Sequence, residues 1–152
     1  MTPDEARVPA AQLAAFVARA FIAAGLPEGD AQAIASLMVE ADLRGSDTHG
    51  VIRLALYVRR LRAGGINAKP NIRLVSDRAS VALIDGDNGL GHLVMRRAAA
   101  LAIEKAKTTG IGWVGTRMSN HAGPAALYRS IMTWSDSISR WAATIICRRG
   151  RQ

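Results

Sequence analysis

In the first 65 residues, apolar side chains recur every three or four positions, and each run stops at a glycine. Residues at that spacing share one face of a 3.6-residue turn, so the segment is committed to amphipathic helices that must cover one another. Residues 10–24 place Leu13, Phe16, Val17, Ala20 and Phe21 on such a face, with Gly25 as a natural stop. Asp30 is placed to cap a second helix carrying Ile34, Leu37, Met38 and Ala41, ended by Gly45. Ser46 or Asp47 can cap a third, predicted to run to about residue 63 before Gly64-Gly65. Its apolar residues include Val51, Leu54, Val58 and Leu61.

The period then changes. Residues 72–76 and 81–84 are short β-rich runs, and Asp85-Gly86-Asp87-Asn88-Gly89 is a dense turn signal. An alanine-rich helix is predicted over 90–108, ended by Gly110, with a buried strand over 111–115 and another helix starting within 123–132. Strand, helix, strand in that order implies an α/β layer. The chain therefore reads as a helical region (1–65), a partial α/β segment (66–130) and an atypical basic tail (131–152). The tail holds Trp134, Trp141, Cys147 and four arginines against the single acid Asp136. It offers one strand-like patch, 142–147, and an α/β layer needs more strands than these, so the layer is expected to be incomplete.

Composition narrows the class. With 49% hydrophobic and 21% charged residues, the chain has material for a core and is not disordered throughout. The formal charge of +8 fits either a solvated basic surface or an anion-binding one. The few scattered aromatics argue against nucleic acid, whose binders interleave bases with exposed rings. A single cysteine rules out an internal disulfide and fits a reducing compartment. No secretory signal and no run of membrane-spanning length is visible, so a cytoplasmic protein is expected.

Three constellations carry potential chemistry. In Thr48-His49-Gly50-Val51-Ile52-Arg53, continuing to Tyr57, a helix would turn His49, Arg53 and Tyr57 to one side. A histidine moves protons near neutrality, and an arginine grips a carboxylate with two parallel bonds. Tyr57 adds a hydroxyl, so the trio suits a substrate with a hydroxyl or carbonyl beside a carboxylate. The plainer reading is a solvated helical face. Ser119-Asn120-His121-Ala122-Gly123 follows a strand and opens a helix, where backbone amides bind anions. Here the plainer reading is a loop histidine that caps the helix. Asp85-Gly86-Asp87-Asn88-Gly89-Leu90-Gly91 lacks both the P-loop ending and the G-x-G-x-x-G spacing. Two acids without a third ligand are weak evidence for a metal, and no metal is expected. It reads as a tight turn entering a helix.

Taken together, these segments resemble the malate/L-lactate dehydrogenase family. The matching stretches run from Ala41-Asp42-Leu43-Arg44-Gly45-Ser46-Asp47-Thr48-His49-Gly50-Val51-Ile52-Arg53-Leu54 through Gly64-Gly65-Ile66-Asn67, Asp85-Gly86-Asp87-Asn88-Gly89-Leu90-Gly91 and Ser119-Asn120-His121-Ala122-Gly123. They fall in family order and span about residues 8–130. The resemblance implies a helical region followed by a mixed α/β layer that is not the Rossmann fold. It implies hydride transfer between NAD or NADP and a 2-oxo or 2-hydroxy acid, and a homodimer in the full-length form. By resemblance His49, with Thr48 beside it, and His121 are the catalytic candidates. Arg53 and Tyr57 would bind substrate, and His121, Ala122, Gly123, Pro124 and Ala125 would contact cofactor. The sequence does not choose between the two histidines as proton donor.

Alanine and proline flank Gly123 where an aromatic and small residues are commoner in the family. Members run to roughly twice this length or more, and the motifs end near Ile131. The tail reads as a truncated or out-of-frame ending, which makes an inactive fragment the first rival reading. A small basic nucleic-acid-binding protein is the second.

Overall fold

A computed structural model describes residues 7–128 and the backbone of residues 142–147. Helices α1 (Ala10–Ala23) and α2 (Glu28–Leu43) are followed by two 3-10 turns, Asp47–His49 and Val51–Arg53, and then by α3 (Leu54–Arg62). Strands β1 (Arg73–Asp77) and β2 (Val81–Gly89), helix α4 (Gly91–Thr109), and strands β3 (Ile111–Ser119) and β4 (Ala142–Cys147) complete the described elements.

Two of the predicted helix starts are corrected. Asp30 does not cap α2. The helix begins two residues earlier, behind Pro27, whose carbonyl accepts from Ala31 N at 2.9 Å. Glu28 and Asp30 then lie in the first turn, where negative charge meets the positive end of the helix dipole. The third helix is not continuous from Ser46. The backbone breaks at Gly50 (φ −91°, ψ −140°), leaving two short turns before α3. The cause lies in α2. The Asp42 carboxylate sits directly under Gly50 and accepts from Val51 N at 3.0 Å. A Cβ at residue 50 would lie 1.6 Å from Asp42 Oδ1, so only glycine permits this approach.

The helices close on a core of Val17, Phe21, Ile34, Met38, Tyr57, Leu61, Ile66 and Leu90. Val17, Phe21, Ile34 and Met38 are fully buried, each contributing about 1.5–3 kcal/mol. The sheet has the order β1-β2-β3-β4, with β1 antiparallel to β2 and the remaining pairs parallel. Arg78 N bonds Val81 O at 2.8 Å, closing the β1–β2 hairpin around Ala79 and Ser80. The α4 crossover lays Val94, Ala98 and Ala102 on Ala82, Ile84 and Val114. A third cluster, Ala41, Met95, Leu127 and Tyr128, ties α2, α4 and the segment after β3 together.

β2 and β3 outrun their predicted lengths. β2 continues through the turn signal to Gly89, with a register shift after Asp85 and left-handed Asp87 (φ 48°) and Asn88 (φ 55°). β4 lies inside the segment read as an atypical tail and pairs with β3 from Ile111 to Thr116. In the predicted 123–132 helix, residues 126–128 form a helical turn, and residues 129–132 lie outside the described residues.

Asp85 faces Arg73 on β1 and Arg117 on β3 in direct cross-strand register. Its Oδ2 lies 3.4 Å from Arg73 Nη2 and 3.0 Å from Arg117 Nε. The Asp87 amide, bonded to Oδ1 at 3.0 Å, holds the Asp85 carboxyl below the usual carboxylate range, with Arg117 and Arg73 adding to it against the cost of burial. A depressed folded pKa stabilises the fold above the unfolded value of about 3.9, and that contribution is lost as pH falls through the folded value. Asp85→Asn is expected to lower stability at pH 7 by about 1–2 kcal/mol, discounted because both arginines are half exposed. Urea titrations of parent and variant should converge as pH falls below the unfolded value of about 3.9 and through the folded one. An unchanged difference across that range would remove the ionic ladder from the account.

Candidate active site

The break at Gly50 does not scatter the residues around it. His49 ends the first 3-10 turn, and its Nδ1 lies 2.8 Å from Thr48 Oγ1. Arg53 ends the second turn and folds back, its Nε donating to Thr48 O at 2.7 Å. Tyr57, one turn into α3, is buried in the helical core with its ring stacked on Phe21 at 6.5 Å. The helix-face argument for His49, Arg53 and Tyr57 therefore fails in its geometry, because no single helix carries all three. His49 and Tyr57 instead converge on a residue from the sheet.

That residue is His121, two positions beyond β3. Its ring stacks on His49 with centroids 5.3 Å apart and planes at 28°. Its Nδ1 lies 2.5 Å from Tyr57 Oη and 3.3 Å from Gly123 N. A backbone N–H can only donate, so in the neutral ring Nδ1 is the acceptor and the proton sits on Nε2. Tyr57 then donates its hydroxyl proton. Burial pushes the Tyr57 hydroxyl up to about 12, against the opposing charges of Arg53 and Arg60, so it stays protonated at neutral pH.

The segment that follows is half-buried from Ala122 to Pro124, with Ala125 exposed. Tyr128 Oη donates to the Ala122 carbonyl. Gly123 is left-handed (φ +74°), and a Cβ there would lie 3.0 Å from His92 Nε2. His92, the second residue of α4, is fully buried and meets the Tyr57 ring edge-on at 5.8 Å. Neither of its ring nitrogens has a hydrogen-bond partner among the described residues. Burial, followed by repulsion from His121, pushes His92 down to about 3, so it is neutral throughout the physiological range.

His92 and Asn120 had been given no role from the sequence alone. Asn120 lies inside the Ser119–Gly123 motif, where the sequence marks it only as a neighbour of His121. His92 opened the predicted α4, where nothing in the sequence marks burial. The Asp85/Asp87 pair is accounted for by internal donors. Asp85 faces two arginines, and Asp87 Oδ2 accepts from Asn67 Nδ2 at 2.9 Å and Asn71 N at 3.0 Å.

The sequence pattern of the malate/L-lactate dehydrogenases matches residues 8–144, and the chain belongs to that family. Similarity thus continues past Ile131 into the tail segment. The chain is 50% identical over 122 residues to a malate dehydrogenase of Pyrococcus horikoshii, covering 80% of this chain and 34% of that protein. A solved structure of malate dehydrogenase from the same organism superposes with a TM-score of 0.82 at 48% identity, covering 85% of this chain and 38% of that one. The L-sulfolactate dehydrogenase of Methanocaldococcus jannaschii is 45% identical over 114 residues, 75% of this chain and 33% of that protein. The ureidoglycolate dehydrogenase (NAD(+)) of Escherichia coli is 31% identical over 105 residues, 69% of this chain and 30% of that protein. The chain spans about a third of the length of the curated relatives it matches. The fold is the one these dehydrogenases share over that part: a helical region followed by a mixed α/β layer.

The buried neutral His92 sets a pH dependence. Its folded pKa lies below the unfolded value of about 6.5, so its contribution to stability is full above that value and erodes as pH falls toward 3. Below about pH 6 the unfolded chain binds a proton that the folded one refuses, a slope of up to about 1.4 kcal/mol per pH unit. His92→Leu should flatten the fall in unfolding free energy between pH 6 and pH 4 by that order. Equal slopes for the two proteins in denaturant titrations would show that His92 is charged, or exposed, in the folded state.

Proposed function

We propose that this chain carries the substrate-binding and proton-transfer wall of an NAD- or NADP-dependent oxidoreductase acting on a 2-hydroxy or 2-oxo acid. The observation that carries the reading is the convergence of His49, Tyr57 and His121 from three separate elements, with Arg53 folded back beside them. The malate, sulfolactate and ureidoglycolate dehydrogenases among its relatives support the substrate class, and the NAD(+) in the name of one supports the cofactor. Residues His121, Ala122, Gly123, Pro124 and Ala125 would hold the cofactor. The left-handed Gly123 and the orphaned ring nitrogens of His92 behind it fit a segment shaped by something besides its own packing. A bound nicotinamide would supply or accept the hydride at C2 of the substrate.

The chain's own residues divide the remaining work. Arg53 uses Nε on the Thr48 carbonyl, which leaves its two terminal nitrogens for a substrate carboxylate. His121 is the proposed proton carrier, because its tautomer is set by Tyr57 and Gly123, whereas the hydrogen-bond partner of His49 among the described residues is a hydroxyl that can donate or accept. In the reducing direction the protonated ring gives its Nε2 proton to the developing C2 alkoxide. The Tyr57 hydroxyl rotates to accept from Nδ1–H, while the Gly123 N–H, which cannot reverse, gives up its bond to Nδ1, so Tyr57 is the partner that holds the ring in both charge states. Oxidation reverses these steps, with Nε2 taking the hydroxyl proton. Thr48 and His49 line the opposite side of the stack and orient the substrate oxygen. Homodimer formation belongs to the same reading, supported by the exposed apolar side chains of Phe16, Ile52 and Trp113.

Two measurements test this. In a full-length relative with the same motif, the lysine variant at the position of Arg53 should weaken substrate binding by about 10- to 150-fold, the loss of a charged two-pronged contact at about 1.5–3 kcal/mol. Unchanged KM and kcat would take Arg53 out of the site. For the 152-residue chain, saturable NADH or NADPH binding is expected, with turnover of pyruvate or oxaloacetate well below about one per second, since the chain spans a third of its relatives. Nucleic-acid affinity falling steeply with salt, in place of dinucleotide binding, would favour the basic-protein reading.

A further inference from the structure

The turn after Asp85 has no part in the proposed reaction, yet it is wired to the site. Asn88 sits at its tip in the left-handed conformation (φ 55°). Its carbonyl accepts from Asn67 N at 3.0 Å and from Asn120 Nδ2 at 2.8 Å. Its side chain works in both directions, with Oδ1 accepting from Asn120 Nδ2 at 2.9 Å and Nδ2 donating to Gly65 O at 3.3 Å. Asn120 adds two bonds to the Gly89 carbonyl, from its backbone N at 3.2 Å and from Nδ2 at 3.0 Å. On its other side the Asn120 carbonyl abuts the start of α4, 2.1 Å from where a Cβ on Gly91 would stand. Asn120 is thus clamped between the turn and the helix, and His121 is the next residue along the chain.

The contacts close a circuit. Tyr57 in α3 bonds the His121 ring, His121 follows Asn120, Asn120 bonds Asn88, and Asn88 bonds Gly65 just past the end of α3. A ring of contacts that leaves α3 at one end and returns at the other fixes the distance between them. We infer that Asn88 is a positioning residue for His121: its side-chain amide holds Asn120, and through it the placement that brings His121 Nδ1 to Tyr57 Oη. Its importance for turnover rests on His121 being the proton carrier, but the placement itself does not.

The test reads the His121 ring directly. The chain has three histidines, so ring nitrogen signals in nitrogen–proton correlation spectra of the full 152-residue chain are assignable by single substitutions. The parent should show the His121 proton on Nε2. Asn88→Gly keeps the left-handed turn and deletes only the side chain, so it is expected to fold. The two hydrogens of Asn120 Nδ2 are shared among three acceptors and keep the Asn88 and Gly89 carbonyls in this variant, so its minor His121 tautomer should rise by about two- to fivefold, one ordinary hydrogen bond being the upper bound. Asn88→Asp tolerates the same backbone and keeps an oxygen facing Asn120 Nδ2 but cannot donate to the Gly65 carbonyl, so it should bring the minor tautomer back below the Asn88→Gly level without reaching the parent spectrum. The His92 signals should stay put in both variants. A folded Asn88→Gly protein with unchanged His121 signals would make Asn88 a plain turn residue, and failure of the aspartate to rescue would overturn the role of its side-chain oxygen. If dinucleotide binding fails while the tautomer responds as expected, the proposed function falls and the positioning role stands.

Discussion

The hydrogen bond between Tyr57 and His121 joins residues 64 positions apart, one from the helical region and one from the end of a sheet strand. The remaining geometry of the site depends on it. Tyr57 can be aimed because it is a core residue, with Phe21 stacked on its ring and His92 against its edge. Its hydroxyl alone reaches out of that core, in the manner of an amphipathic ring with an apolar body and a polar tip. Burial, which would be a cost for an isolated hydroxyl, keeps it protonated and therefore able to act as a donor to an imidazole nitrogen. The apolar packing of three helices thereby sets the position of a polar atom to within hydrogen-bonding tolerance.

Much of the architecture was legible in advance. Apolar periodicity locates α1 and α2, alanine content with Gly110 behind it locates α4, and the short β-rich runs locate β1 and β2. From Ser46 to Arg53 the structure departs from the helical pattern for a reason periodicity cannot carry. Val51 and Leu54 keep helical spacing, but a carboxylate four residues before Ser46 fills the space under Gly50 and caps Val51. That is a tertiary contact between residues nine apart, and it overrides the local pattern. The extended end of β2 is hidden in the sequence because its residues carry turn chemistry. Asp87 and Asn88 tolerate left-handed backbone, which lets the strand continue through a bulge where a sequence rule sees a stop.

The candidate site was legible as a list of residues but not as an arrangement. His49, Arg53, Tyr57 and His121 were all named from motifs, and His49 and Tyr57 meet at His121. Their expected relation, three side chains on one helical face, was replaced by a convergence of separate elements. Two contributors carried no signal. His92 looks like any polar residue in a first helical turn until its burial is known. Asn120 gains its meaning from acceptors on Asn88 and Gly89, more than thirty positions earlier.

His92 shows why the arrangement works electrically. An imidazole with both nitrogens buried and without a partner among the described residues is costly, and a leucine of similar bulk would pack there without that penalty. Yet its neutrality matters for its neighbours. A second cation beside His121 would oppose charging of the ring proposed to carry the proton, whereas a neutral ring fills the space behind Gly123 without opposing it. His49, stacked on the His121 ring, is half-exposed. The His121 ring thus has a half-exposed imidazole stacked on it and a buried one nearby, with its Nδ1 committed to Tyr57 and Gly123. Under these constraints the two nitrogens of His121 are chemically distinct before any substrate arrives, which is the condition a directional proton carrier has to meet.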